Sequence, residues 1–460
     1  MTVPDPIRVH AGVTPDVVAV VAPDRELTYV ELDTAINHCT AYIQSLSVAS
    51  GQCVGFVAGP DVLKTIVTLF AILRCGAVAF PVSHRLPPSV RTDYTEAADC
   101  AAVITPDEVV VTTESPDDVT VPPGVVQLDD SARATILATS GSSGRPKLAV
   151  HMLRSHLYSA WDSYDMIPLV RGDRWLLTIP LNHVGGIAVL FRSFLAGSTV
   201  VTAGSAPLMK TIRDGTISHV SLVTTQLKRL LDENWTSVPG TLRSVLIGGS
   251  AVPDVLLARA VDRGLPVQVT YGMTEASSQI ATTRVSGGDT LSDPSLMRHL
   301  AVRIRNGIIE IRGPNVFEGY LLDGVVEDPR DREGWFSTGD LGEITESGLR
   351  VIGRADRMFV SGGENIQPEE IEFHLNNISG IDRAVVVPVP DDEFGWRPYA
   401  FIEGSARADD AELSSLLEEK LPRYKIPVQF APMPSAYLDV SKIDREELQN
   451  EAIRLHDAAK

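Results

Sequence analysis

Behind Thr28 and Glu31, apolar side chains recur at Leu32, Ile36, Cys39, Ile43 and Leu46. The hydroxyl and carboxylate stand at the spacing that caps a helix start reciprocally, and steps of three and four put the five apolar residues on one face. A buried amphipathic helix is predicted. Residues 54–57 then form a short apolar run with no helical spacing, and 61–75 is apolar over helical length and stops at Gly76. Residues 77–82 make a second strand candidate before the turn signals Pro87 and Pro88. Strand and helix in alternation predict a parallel sheet covered on both faces.

The alternation resumes with strand candidates at 175–179, 198–202, 219–223, 244–247 and 267–269. From 300 to 351 short strands and glycine turns replace the helices, which predicts a small β subdomain. Residues 354–357 carry charge without periodicity, and a new α/β unit begins after them. The expected fold class is therefore α/β. A large N-terminal body of parallel-sheet subdomains plus the small β subdomain spans 1–353, and a small C-terminal lid spans 354–460.

Charge narrows the partners. With 59 acidic against 40 basic residues the net charge is −19, a field that repels nucleic acid and anionic membrane, so an anionic ligand has to be held by local groups. The most apolar helix candidate, 62–73, is too short to cross a bilayer, and the polar, proline-interrupted start of the chain does not read as a signal peptide. Cys39, Cys53, Cys75 and Cys100 are scattered, form no CxxC pair, and suggest reduced, buried thiols in a cytoplasmic setting.

The chemistry concentrates at strand ends. Thr139, Ser140, Gly141, Ser142, Ser143, Gly144, Arg145, Pro146 and Lys147 follow the strand candidate 134–138. Hydroxyls and bare backbone N–H groups can wrap a polyanion there, with Lys147 as point charge. The glycine spacing and the absence of Gly-Lys-Ser/Thr set this loop apart from a Walker loop. Tyr271, Gly272, Met273, Thr274 and Glu275 follow the strand candidate 267–269, where open sheets place ligands. Tyr271 can stack on a base, Thr274 can bond a phosphate, and Glu275 can hold Mg²⁺ beside substrate phosphates. Gly248, Gly249 and Ser250 leave room for a planar ring, Asp340 can accept both ribose hydroxyls, and Arg354, at the expected domain junction, can also reach the ribose. Taken singly, 139–147 also reads as a Ser/Gly surface loop, 271–275 as a strand-end turn and the segment ending at Asp340 as an Asx turn. Ser361, Gly362, Gly363, Glu364 and Asn365 precede Pro368 at an expected helix start, and Lys442 stands near the C-terminus within Ser441-Lys442-Ile443-Asp444-Arg445.

Read in order, these segments resemble the adenylate-forming superfamily of acyl-CoA ligases, peptide-synthetase adenylation domains and luciferases. The likeness covers nearly the whole chain. Within the superfamily, the run Pro180-Leu181-Asn182-His183-Val184-Gly185-Gly186 with Arg192, together with 221–227, 361–372 and 391–398, is most similar to the ligases that join 2-succinylbenzoate to coenzyme A in menaquinone biosynthesis. Asn182, the serines at 142 and 143, and Ser441 depart from the usual pattern, and Asn182 puts the acyl pocket in question.

The resemblance implies a two-step AMP-forming acid:CoA ligase that uses ATP, Mg²⁺ and coenzyme A. It implies β- and γ-phosphates on 139–147, magnesium on Glu275, adenine on Tyr271 and 248–250, further ATP contacts on Gly272 and Thr274, and ribose on Asp340 and Arg354. Lys442 would bridge the attacking carboxylate and the α-phosphate, with His183 beside the chemistry. Arg192, His183 and Gly248 would meet the acid. A mobile lid would turn about Asp356 and bring Ser361, Gly362 and Gly363 onto the thiol's path. A structural ion pair is the other reading of Arg192, and a packed core side chain the other reading of His183. A ligase for another aryl or acyl acid, or a stand-alone carrier-loading adenylation enzyme, shares the ATP residues. The implied partners are small molecules, with no nucleic acid, no membrane insertion, and a homo-oligomer left open.

Overall fold

A computed structural model describes residues 1–113, 126–139, 147–202, 204, 207–233, 237–285, 294–404, 409–438 and 443–459. Two large sheets carry the first three-quarters of the chain. The nine-stranded sheet runs Ser295–Leu296, Ser278–Arg284, Val267–Met273, Ser244–Ile247, His219–Leu222, Arg174–Leu177, Thr199–Thr202, Val18–Val21 and Glu26–Thr28. Its neighbours are parallel from Val267–Met273 to Val18–Val21 and antiparallel outside them. The seven-stranded sheet runs Val325–Glu327, Gly319–Leu322, Lys147–Met152, Arg133–Thr139, Val78–Ser83, Cys53–Ala58 and Cys100–Ile104. Its last four strands are parallel. The expected parallel sheets are thus present with antiparallel margins, some made by hairpins such as Val18–Val21 with Glu26–Thr28 and one by the distant pair Lys147–Met152 and Gly319–Leu322.

Helices Tyr29–Ser45, Val62–Arg74, Leu153–Ser163 and Val184–Ala196 share one core with strands of both sheets, built from Leu32, Phe70, Leu157, Phe191, Val54 and Val200. The Thr28–Glu31 capping box forms as the spacing predicts, and Leu32, Ile36, Cys39 and Ile43 are buried. Leu46 is 39% exposed, since the helix has ended there and its face no longer meets the core. Gly76 follows the helix Val62–Arg74 in the left-handed region, at φ +66°. Among the described residues no helix is long and apolar enough to cross a membrane.

Ala301–Arg305, Ile308–Arg312, Phe336–Thr345 and Gly348–Arg354 form a four-stranded antiparallel sheet, matching the expected run of short strands. Beyond it, Ile381–Asp391, Gly395–Gly404 and Phe430–Pro432 make a three-stranded sheet. Alternation along the first of these strands sends Ala384 and Val386 to a core with helices Pro368–Asn376 and Asp410–Glu418. Val385 and Val387 face a second core with helix Arg445–Ala459. Both cores draw only on residues from 359 onward.

Two expectations about strand ends are corrected. Residues 267–269 belong to a strand that continues to Met273, so Tyr271 and Gly272 lie within it and the turn is the 3-10 segment Thr274–Ala276. Antiparallel pairing with Ser278–Arg284 extends the strand. Asp340 likewise stands inside Phe336–Thr345, opposite Arg354, and not in an end turn.

Candidate active site

Thr139 and Lys147 face each other across the hairpin of Arg133–Thr139 and Lys147–Met152, and Thr139 Oγ1 donates to the Lys147 carbonyl at 3.3 Å. Ser140, Gly141, Ser142, Ser143 and Gly144 lie outside the described residues, as do Ser441 and Lys442. The Lys147 ammonium lies 5.1 Å from the ring centroid of Tyr320, which pairs with Ala149 on the adjoining strand. Tyr320 Oη in turn donates to Glu275 Oε1 at 2.6 Å. One tyrosine therefore connects the candidate phosphate lysine to the candidate metal carboxylate. Sequence reasoning missed Tyr320, since a lone tyrosine in a short strand carries no signal of its own.

Glu275 is buried, and its backbone is fixed on both sides. Its carbonyl accepts from Phe317 N at 2.9 Å, while the Thr274 carbonyl accepts from Ser277 N at 3.0 Å and from His151 Nε2 at 2.7 Å. His151, also missed, is buried and held neutral, its pKa lowered by burial to about 4, which suits an N–H donor to a carbonyl. Tyr320 alone among the described residues bonds the Glu275 carboxylate, leaving one oxygen for a cation. No group of three His, Cys, Asp or Glu side chains gathers among the described residues.

Tyr271 Oη donates to Asp340 Oδ2 at 2.5 Å, and Arg354 Nη1 donates to Asp340 Oδ1 at 3.2 Å. Burial and the facing carboxylate push the Tyr271 phenol pKa up, so it stays a donor. Arg354 also grips Asp356 through Nε and Nη2, at 3.1 and 2.8 Å, which lowers the Asp356 carboxyl. Gly272 is required by close approach: a Cβ there would lie 1.8 Å from the Ser278 carbonyl oxygen. Gly248, Gly249 and Ser250 follow Ser244–Ile247, and Ser250 Oγ is 2.9 Å from Thr224 Oγ1.

Behind the same turn stands Arg192, 1% exposed on helix Val184–Ala196. Its Nη2 donates to Ser278 Oγ at 3.3 Å, its Cζ lies 5.7 Å from the Trp175 ring centroid, and its Nε has no partner. Among the described residues no carboxylate pairs with it. Burial lowers its pKa to about 10, which leaves it charged at neutral pH. Ser278, another residue missed from sequence, has φ +118° and follows Ser277 at φ +53°. Two consecutive side-chain-bearing residues in the left-handed region mark a strained backbone at the site. His183 is exposed at the start of the Arg192 helix, which removes the packed-core reading.

The C-terminal residues form a separate group. Ser361 ends a strand paired with Glu364, and Gly362 and Gly363, at φ +57° and +90°, make the tight turn between them. Asp356 is exposed in the 3-10 segment Ala355–Arg357. Arg445, three positions after Lys442, lies 2.7 Å from Glu372 Oε1 and donates to the Val386 carbonyl at 3.0 Å.

Lys147, Tyr320, Glu275, Tyr271 and Asp340, drawn from three sheets and the turn after Met273, supply the cationic, aromatic and carboxylate groups that activation of an acid by a nucleotide requires. The family model described as AMP-binding enzyme matches residues 7–321, and the chain belongs to that family. The 2-succinylbenzoate–CoA ligase of Salmonella typhimurium is 34% identical over 84% of both chains. The Escherichia coli ligase of the same name is 32% identical over 96% of this chain and 97% of its own. The structure of the Bacillus subtilis o-succinylbenzoate CoA synthetase in complex with the acyl-adenylate intermediate superposes with a TM-score of 0.85 at 26% identity, covering 98% of each chain.

Proposed function

We propose that this protein is an AMP-forming ligase that joins 2-succinylbenzoate to coenzyme A in the cytoplasm, as a step of menaquinone biosynthesis. The observation that carries the acid's identity is Arg192: a buried, charged guanidinium with Nε unpaired and one hydroxyl for company. A guanidinium so placed asks for a carboxylate, which it can grip with two parallel bonds. An acid with a second carboxylate beyond its reacting one meets that need, and the curated relatives are named for such an acid.

The chemistry starts from an obstacle: the oxygen of a free carboxylate does not leave when a thiol attacks. Joining the acid to AMP, with release of pyrophosphate, replaces it with a phosphate leaving group. In this reading Thr139, Lys147 and residues 140–144 hold the β- and γ-phosphates, Thr274 bonds a phosphate oxygen, Tyr271 and 248–250 receive the adenine with Gly272 beside them, and Asp340 with Arg354 takes the ribose. Glu275 would hold Mg²⁺, which supplies charge neutralisation at the phosphates. Lys442 stabilises charge developing between carboxylate and α-phosphate. His183 borders the acid at the exposed start of the Arg192 helix.

We assign residues 1–353 to the body and 354–460 to a lid that turns about Asp356, so that the turn Ser361-Gly362-Gly363 meets the pantetheine in the second half-reaction. ATP–pyrophosphate exchange driven by a panel of carboxylic acids, followed by mass detection of the CoA product, tests the whole reading. Exchange should be strongest with 2-succinylbenzoate and weak with benzoate. Exchange driven equally well by acids with a single carboxylate would sink the substrate assignment.

A further inference from the structure

Cys53 and Cys100 are 47 positions apart in sequence, yet their sulfurs stand 2.9 Å from each other. Cys53 opens Cys53–Ala58, Cys100 opens Cys100–Ile104, and the two are direct partners in these parallel strands. Cys100–Ile104 is the edge strand of its sheet. Neighbouring strands lie about 4.8 Å apart, inside the roughly 4.4–6.8 Å over which two Cα atoms accept a disulfide. Local structure brings the thiols together: the register breaks between Cys53 and Val54, and Asp99 just ahead of Cys100 has φ +49°. Gly55 leaves the room, because a Cβ there would lie 2.8 Å from Thr95 Cγ2 and 3.3 Å from Cys100 Sγ. Cys53 is buried and Cys100 only partly so.

We propose that Cys53 and Cys100 form a reversible oxidation site, at which a hydroperoxide converts the two thiols into one disulfide that staples the edge strand to its neighbour. Cys100, the more accessible, attacks first. Its sulfur bonds to the near peroxide oxygen, the O–O bond breaks, and the departing oxygen takes up a proton to leave as water or an alcohol. The Cys53 sulfur then attacks the resulting sulfenic acid, forming the S–S bond, and its own proton leaves with the hydroxyl as water. The two thiols supply the two electrons that reduce the peroxide. The facing Cys100 thiol and burial push the Cys53 thiol pKa up, which fits Cys53 as the second, intramolecular partner.

The pair is remote from the proposed nucleotide site. Val78–Ser83 and Arg133–Thr139 lie between Cys53–Ala58 and the strand Lys147–Met152 that carries Lys147. Oxidation is therefore expected to raise resistance to unfolding and leave pyrophosphate exchange unchanged.

The test treats the full chain with hydrogen peroxide, alkylates the remaining thiols after denaturation, and maps the digest by mass. The expected product is a Cys53–Cys100 linked peptide, two hydrogens lighter than its reduced parts, with a melting temperature a few degrees higher that dithiothreitol reverses. Cys100→Ser should abolish both changes. Alkylation of both Cys53 and Cys100 after oxidation, a Cys39–Cys75 or intermolecular link in their place, or the same thermal shift in Cys100→Ser would overturn the proposal. The linked peptide is read on the unsubstituted protein, so a poorly folding variant does not remove the test.

Discussion

Tyr271 donates its phenol hydrogen to Asp340 across 2.5 Å, and that bond ties the nine-stranded sheet to the four-stranded one at the proposed nucleotide site. Tyr271→Phe keeps the ring and removes the donor, while Arg354 still pairs with Asp340. Hydrogen bonds to charged acceptors contribute about 1.5–3 kcal/mol, and the remaining partner favours the lower end. The KM for ATP should rise about tenfold with kcat within about threefold. Steady-state kinetics with ATP varied reads the split, and a loss confined to kcat would give the phenol a role in the transition state instead.

Arg192 gives the sharpest test of the acid. Arg192→Ala should raise the KM for 2-succinylbenzoate about a hundredfold, the effect of losing one side of a buried charge pair, while the KM for ATP stays within about threefold. Arg192→Lys should fall between, because an ammonium keeps the charge and loses the planar fork. Comparable rises in both Michaelis constants would return Arg192 to a structural role.

Arg354 bonds Asp340 on one side and Asp356 on the other, so the proposed ribose carboxylate and the proposed hinge share one guanidinium. Asp356→Pro fixes φ at the hinge and also removes the ion pair. Asp356→Ala removes only the pair and serves as its control. Pyrophosphate exchange should survive in both, whereas CoA thioester formation should fall at least about a hundredfold in Asp356→Pro alone. Loss of both half-reactions in the proline variant, with alanine unaffected, would mean that the hinge lies elsewhere.

Periodicity and motif order reveal most of the architecture because burial imposes both. The helix face Leu32, Ile36, Cys39 and Ile43 and the strand Ser244–Ile247 could be read directly. Asp340 and Arg354 were legible as candidates because charged residues beside glycines stand out. Partners supplied by another sheet were not. Tyr320 reaches Glu275, His151 reaches Thr274 and Ser278 reaches Arg192 across separations of 45, 123 and 86 positions, and each alone is an ordinary strand residue. The continuation of Val267–Met273 through Tyr271 was hidden for the same reason, since an antiparallel partner later in the chain makes those residues a strand.

Buried histidines give stability a pH dependence with a definite sign. His151 and His219 are both held neutral by burial, with folded pKa values lowered to about 4 from 6.5. Between those values the unfolded chain binds protons that the folded chain refuses, so stability falls as the pH drops through that window. Each histidine contributes up to about 1.4 kcal/mol per pH unit. The stability of His219→Gln should therefore change less with pH from 6.5 to 4 than that of the parent, by one histidine's share. Urea unfolding at half-unit steps measures the difference, and parallel curves would show that His219 is protonated without cost in the fold.

The pairing of Arg445 with Glu372 assigns an architectural role to the motif around Lys442. Glu372 is buried, its carboxyl pKa is raised chiefly by that burial, and it also accepts from Val386 N at 2.8 Å. Arg445→Ala leaves the carboxylate without its cation, a change that costs about 3 kcal/mol in buried pairs. A carboxyl with a raised folded pKa binds protons more readily folded than unfolded, so the cost should grow as pH rises from the unfolded value through the folded one. The variant should lose more stability at pH 8 than at pH 5.5. Adding Glu372→Gln removes the stranded charge and should recover part of the loss and most of this pH dependence, a comparison that denaturant unfolding of both variants makes directly. Equal losses in the single and double variants at both pH values would mean that the helix Arg445–Ala459 is anchored by its apolar face, through Leu448 and Ala452, and not by the ion pair.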